Sequence, residues 1–143
     1  LLPYPEGITV ETVSHHNIDI FAEANVEGFE YPVEWRESIK AGLHSQLESA
    51  NTHLFLARCE GEPAGTAIMT VRNGMGSLSG GSVVPGFRGK GCQLALILHR
   101  MHIAHQLGCN LIGSAAEFGS TSFRNQQRAG LRLAFIESGW KRL

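Results

Sequence analysis

Apolar and polar residues alternate along Ile8-Thr9-Val10-Glu11-Thr12-Val13, and a period of two predicts a half-buried strand. Ser14-His15-His16-Asn17 follows as a helix cap. Ile18, Phe21, Ala22, Val26 and Phe29 then fall on one helical face, which Pro32 closes, and Trp35, Ile39, Leu43 and Leu47 at intervals of four predict a second helix. Residues 53–59 and 64–71 are apolar runs joined by the turn Glu60-Gly61-Glu62-Pro63, the pattern of a hairpin. After Arg72-Asn73-Gly74-Met75-Gly76 turns the chain again, residues 77–84 form a strand rich in Gly and Ser. Glycine weakens a strand interior, and close approach of a ligand backbone or a β-bulge would each account for it.

Leu94, Ile97, Leu98, Met101 and Ala104 recur at three and four residues, so a helix runs from Gly91 to Leu107 and Gly108 caps it. Residues 110–116 read as a buried strand. Strand, helix and strand between Val83 and Ala116 therefore make a right-handed parallel crossover. Ser120 or Thr121 caps a short helix through Arg128, Gly130 stops it, and residues 131–137 read as a last strand before Trp140. The fold class is α/β, a mixed α+β sheet of six to seven mostly antiparallel strands.

A chain of 143 residues forms one domain, 1–143, with a real core, and 43% hydrophobic against 17% charged residues excludes a disordered chain. A net charge of −1 supplies no field for nucleic acid, so any anionic ligand must be held locally. No run resembles a membrane span or a signal peptide, which predicts a cytoplasmic protein with no membrane partner. Cys59, Cys92 and Cys109 are odd in number and far apart, the pattern of reduced thiols rather than a disulfide framework or a metal site. A first residue of Leu rather than Met reads as a trimmed chain or the C-terminal part of a longer one.

The local site is spelled at Val83-Val84-Pro85-Gly86-Phe87-Arg88-Gly89-Lys90-Gly91-Cys92-Gln93. Pro85 ends the strand ladder, the glycines allow a tight turn, and the helix that begins beyond Gly91 presents unpaired N–H groups. Such an end carries roughly half a positive charge. With Arg88 and Lys90 beside it, the turn favours a phosphate or pyrophosphate. It is not a P-loop, because Val84 stands at the first Gly position and Gly91 replaces the Ser or Thr after the lysine. Nor is it a dinucleotide fingerprint, since Leu94 stands where the third Gly is needed.

The run Val-x-Pro-x-Phe-Arg-Gly-x-Gly between a strand and a helix resembles the acetyl-CoA loop of the GCN5-related N-acetyltransferases. The usual Arg-x-x-Gly-x-Gly/Ala ends here in Gln93. A second stretch, Ser122-x-x-Asn125-x-x-Arg128-x-Gly130-Leu131-x-x-Ala134-Phe135, is similar to the family's Ser-x-x-Asn-x-x-Arg-x-Gly-Phe signature. The resemblance implies a sheet splayed at the loop, with acetyl-CoA as cosubstrate. Residues 88–93 (Arg88, Gly89, Lys90, Gly91, Cys92 and Gln93) would hold its pyrophosphate mostly by backbone N–H, Ser82, Val83 and Val84 its pantetheine, and Asn125 its arm. It also implies transfer of acetyl to an amine of a small molecule or peptide, and it allows a homodimer.

That reaction must deprotonate an ammonium, stabilise an oxyanion and protonate a thiolate. A strand N–H near Val84 meets the second demand. For the base, Glu117 comes first, past the strand forming the far wall of the cleft; Glu27, Glu30 and a water chain are the alternatives. No acid is assigned, because the only tyrosines are Tyr4 and Tyr31, and Phe135 stands where the resembling group often has Tyr. Glu23, Glu27, Glu30, Tyr31, Glu34 and Glu37 on the first helical pair are candidates for holding a cationic amine, against a solvated acidic face. Cys92 reads as a small apolar filler rather than a nucleophile, and His99, His102 and His105 as a solvated stripe rather than a metal site. The absent Tyr and the non-Met start also suit a second reading, a non-catalytic CoA or acyl-CoA module or sensor, or one half of a tandem acetyltransferase.

Overall fold

The computed structural model describes residues 4–140, so Leu1 lies outside it. Strand β1 (Ile8–Thr12) leads to helices α1 (Ile18–Gly28) and α2 (Val33–Leu47). Strands β2 (Thr52–Cys59), β3 (Glu62–Arg72) and β4 (Met75–Val83) follow as a meander. A 3₁₀ turn at Pro85–Phe87, helix α3 (Cys92–Gln106), strand β5 (Leu111–Ser114) and helix α4 (Thr121–Arg128) complete the elements. The sheet order is β1-β2-β3-β4-β5, antiparallel except for the β4–β5 pair, which is parallel across the α3 crossover.

Both faces of this sheet are covered, which explains the near-continuous apolar run of β2. Leu54 and Leu56 face α1 and α2 and pack with Ile18, Phe21, Ala22 and Leu43. Phe55 and Ala57 point the other way, into a cluster with Met69, Ala95, Leu96 and Ile97 beneath α3. Successive side chains of a strand point to opposite faces, so a strand covered on both cannot show alternation. Trp35, expected on the buried face of α2, is 58% exposed; of that helix Leu43 is the buried residue.

Among the described residues the sheet has five strands, not six or seven. Residues 131–140 form no strand and pair with none among the described residues, and Phe135 and Trp140 are 77% and 94% exposed. The alternation of Leu131, Leu133 and Phe135 suits a strand, but a strand exists only where a neighbour takes its N–H and C=O groups. The same absence shortens β5. Expected as a buried strand over 110–116, it spans four residues, and as an edge strand it leaves Leu111 59% exposed. No helix among the described residues is long and apolar enough to cross a membrane.

His99 and His102 are half-buried, not solvated; only His105 of the three faces solvent. His99 Nδ1 meets the Tyr4 hydroxyl at 2.8 Å, and its ring packs edge-on against Phe55. Among the described residues no group of three or more metal-ligating side chains is close enough to hold an ion. Burial, with the charge of His102 added, holds the His99 pKa below its ordinary 6.5. A base depressed in the folded state takes its proton more readily when unfolded, so its contribution to stability is complete above that value and is lost as pH falls below it. Melting temperatures of His99→Gln and the parent, followed from about pH 7 to about 5, should show a shallower fall in the variant.

Candidate active site

The turn between β4 and α3 is built from two left-handed glycines, Gly89 at φ +79° and Gly91 at φ +94°, the latter capping α3. A Cβ at Gly91 would also lie 2.8 Å from Pro5 Cγ, whereas one at Gly89 would meet open space. Winding of this kind faces the amides outward. None of the main-chain N–H groups of residues 89–94 donates to a main-chain carbonyl among the described residues; the α3 ladder starts with Ala95 N–H to Gly91 O at 3.0 Å. No acidic side chain occupies the first turn. The result is a run of donors with the positive end of a fifteen-residue helix behind it.

The two cations expected to flank a phosphate at this turn are otherwise engaged. Arg88 turns back beneath the loop: Nε donates to Val83 O at 3.2 Å, and Nη2 to Gly28 O at 3.2 Å and Glu30 Oε2 at 2.9 Å. It therefore staples the end of α1 to the end of β4. Lys90 Nζ lies 5.2 Å over the Phe87 ring. The amides, rather than side-chain charge, are what the turn offers an anion.

Along β4 the sheet opens. The parallel pairing with β5 runs only from Met75↔Leu111 to Leu78↔Ser114, and β4 then continues to Val83 against β3 alone. Ser82 faces Thr66 and Ser79 faces Ile68, so Gly80 and Gly81 together oppose one residue, Ala67, as a β-bulge. Gly80 has φ +54°, and a Cβ there would sit 2.7 Å from Ile68 Cδ1. A cleft of about 210 Å³ occupies the split. Its walls are the bulge, the end of β5 with Ser114 and Ala115, one face of α3 with Gln93 and Arg100, and the start of α4; Phe29 from α1 reaches in.

Ser82 is buried, and its hydroxyl lies 2.9 Å from Thr66 Oγ1, which accepts from Asn25 Nδ2 at 3.0 Å. The Ser82 side chain thus anchors β4 to β3 and α1, and its backbone, two residues from a Val84 N–H that bonds Ala64 O, faces β3 rather than the open edge. Thr66→Val keeps the shape but strands two buried polar groups, and chemical denaturation should show a loss of about 1–3 kcal/mol. Val84 N–H is already spent on Ala64 O at 2.9 Å. Alternation along an extended strand then turns the Val83 N–H to the open side, so the Val84 N–H, expected as the oxyanion donor, is not the free one here.

Asn125 reaches the same region from α4, but its Nδ2 donates to Gln93 Oε1 at 2.7 Å. The pair ties α4 to the first turn of α3, with Gln93 on the cleft wall. Cys92 is 1% exposed and sits behind the turn, where burial pushes its thiol up. That environment suits a packing residue and not a nucleophile. Glu117 is exposed, beyond the end of β5, and does not line the cleft. On the helical pair, Glu23 and Glu37 pair with Lys40, and Glu30 with Arg88. Sequence reasoning missed Arg100. Leu96, Arg100 and Ala104 recur at intervals of four on the buried stripe of α3, which was the available signal.

Residues 15–127 match the model of the acetyltransferase (GNAT) family. The chain belongs to that family. It is an acetyl-CoA-dependent N-acetyltransferase. No sequence among curated proteins matches it. Solved structures with the same fold include the aminoglycoside N-acetyltransferase AAC(6')-Iy in complex with CoA, at 18% identity and a TM-score of 0.77 over 99% of each chain. Another is the aminoglycoside 6'-N-acetyltransferase AAC(6')-IG from Acinetobacter haemolyticus, at 18% identity and 0.73, covering 94% of this chain and 98% of that one. A third is glucosamine-6-phosphate N-acetyltransferase from Arabidopsis thaliana, at 12% identity and 0.71, covering 95% and 99%.

Proposed function

We propose that this acetyltransferase seats the diphosphate of acetyl-CoA on the amides of residues 89–94. The pantetheine arm then runs along the open edge of β4 at Ser82, Val83 and Val84, and the thioester reaches the Gly80–Gly81 bulge. One observation carries the reading: the amides of residues 89–94 have no main-chain partner among the described residues, β4 beyond Leu78 pairs with β3 alone, and the cleft between them is walled by Gln93 on one side and by Gly80 and Gly81 on the other. A diphosphate needs clustered donors, and an amide-bearing arm needs a strand edge with free groups of its own. Arg88, Lys90, Cys92 and Asn125 shape the seat through Glu30, Phe87, the loop interior and Gln93.

The acceptor is a primary amine of a small molecule or peptide, entering over Phe29, whose ring lies 5.3 Å from Tyr31. Its nitrogen must be neutral to attack, and no carboxylate lines the cleft to take the proton directly. Glu117, two residues past the wall residue Ala115, would take it through water. An oxyanion formed at the bulge would be held by a main-chain N–H there, a fixed dipole that needs no reorganisation as charge develops, while the Val83 N–H serves the pantetheine arm. Calorimetric titration with acetyl-CoA tests the reading, followed by thiol release against amine panels. Micromolar binding that desulfo-CoA shares and pantetheine alone lacks is expected. Equal binding of pantetheine would overturn the diphosphate seat.

A further inference from the structure

Arg100 is 4% exposed, a cation on the inner face of α3 with no carboxylate beside it among the described residues. Its Nε donates to Leu96 O at 3.1 Å, and Nη1 donates to both Ile68 O and Ser79 O at 2.9 Å. Those two carbonyls flank the bulge, so the guanidinium fills the gap that the bulge leaves in the ladder. That use consumes Nε and both hydrogens of Nη1. Nη2 has no acceptor among the described residues, and it lies 3.7 Å from where a Cβ on Gly81 would stand, beside the cleft that Arg100 lines.

The other polar side chains of the cleft wall are neutral: Ser79, Ser114, Ser122, Gln93 and Gln126. Nothing there balances the charge. Desolvation lowers the Arg100 pKa to about 10, which still leaves the group charged at neutral pH. A buried cation whose free N–H groups face a cleft without carboxylates is a preformed half of an ion pair.

We propose that Arg100 is a specificity-determining residue, with Nη2 donating to a carboxylate carried by one of the two reactants, either the acyl chain of the thioester or the acceptor amine. The inference rests on the placement of acetyl-CoA in this cleft and adds a substrate class to it. The opposite class, a polycationic amine, is disfavoured at this wall by like charge. Loss of a charge-assisted hydrogen bond to a buried partner is worth roughly 10- to 100-fold in affinity.

The experiment first measures acetyl-CoA binding to the parent protein, which tests the placement alone. Two arms then distinguish the sources. In one, succinyl-CoA and malonyl-CoA are compared with butyryl-CoA and propionyl-CoA; in the other, L-lysine and L-phenylalanine are compared with their amides on the CoA-loaded protein. The expected result is a preference of roughly tenfold or more for the carboxylate in one arm, falling to within about twofold in Arg100→Gln, read as the ratio within each matched pair, so that a loss common to both members cancels. Arg100→Lys, which keeps the cation, should retain part of the preference, and the parent-protein arms stand even if the glutamine variant fails to fold. No preference in either arm, a preference that survives Arg100→Gln, or an equal loss for every CoA ester overturns the proposal. If acetyl-CoA itself does not bind, the placement falls first and separately.

Discussion

Gly91→Glu is expected to cost the enzyme about a thousandfold in acetyl-CoA affinity, close to 4 kcal/mol, while leaving it folded. Three effects act in the same direction. The residue stands at φ +94°, where an L side chain costs roughly 1–2 kcal/mol. Its Cβ would meet Pro5 Cγ at 2.8 Å, so the turn must shift to admit it. The carboxylate would then sit on the amides of residues 89–94, satisfying the donors that the diphosphate needs and repelling its charge. Gly89→Ala is the control: it shares the positive φ but meets no atom and brings no charge, so its loss should be far smaller. Calorimetry on both variants, with circular dichroism to confirm the fold, checks the pair. Equal affinities for the two would remove the amide seat from the account.

The second large effect is expected at the bulge. Gly80→Val places a branched side chain at φ +54°, with its Cβ 2.7 Å from Ile68 Cδ1 and 2.9 Å from Ile68 Cγ1. Swinging Ile68 aside does not clear the site, because its Cβ, which no side-chain rotation moves, would still lie 3.2 Å away. The bulge should flatten, moving Ser79 and Gly81 with it. A displacement of about 1 Å in a positioned reactant costs roughly 10²-fold, and kcat/KM should fall by at least that much. The affinity for CoA, set mainly at residues 89–94, should fall much less. Steady-state kinetics beside calorimetry separates the two, and a parallel loss in both quantities would show that the bulge supports the fold rather than the thioester.

The geometry of the turn before α3 was legible because backbone constraints spell it. Pro85, Gly89 and Gly91 constrain φ directly, and the apolar spacing from Leu94 onward locates the helix start. The split sheet was half-legible. Gly80 and Gly81 announced an irregular strand, but a ligand edge and a bulge predict the same glycines, and the structure shows a bulge on an open edge.

Charged side chains were the least readable, because a long side chain can reach in directions the local pattern does not specify. Arg88 beside an anion turn reads as a ligand, yet it reaches back to Gly28 and Glu30. Arg100 went unread, although it lies in the interior with Nη1 donating to two carbonyls that flank the register shift. His99 left the solvated stripe because Phe55 and Tyr4 cover it. The strand expected at 131–137 failed for a different reason. Alternation records which side chains are apolar, and pairing depends on a neighbour that lies elsewhere in the chain.

The most direct measurement is a titration of ¹⁵N-labelled protein with CoA, followed amide by amide. The account predicts the largest shifts and the strongest protection from exchange at residues 89–94, with a second group at residues 80–83 along the open edge of β4. Shifts concentrated elsewhere, with the amides of residues 89–94 unmoved at saturation, would contradict it.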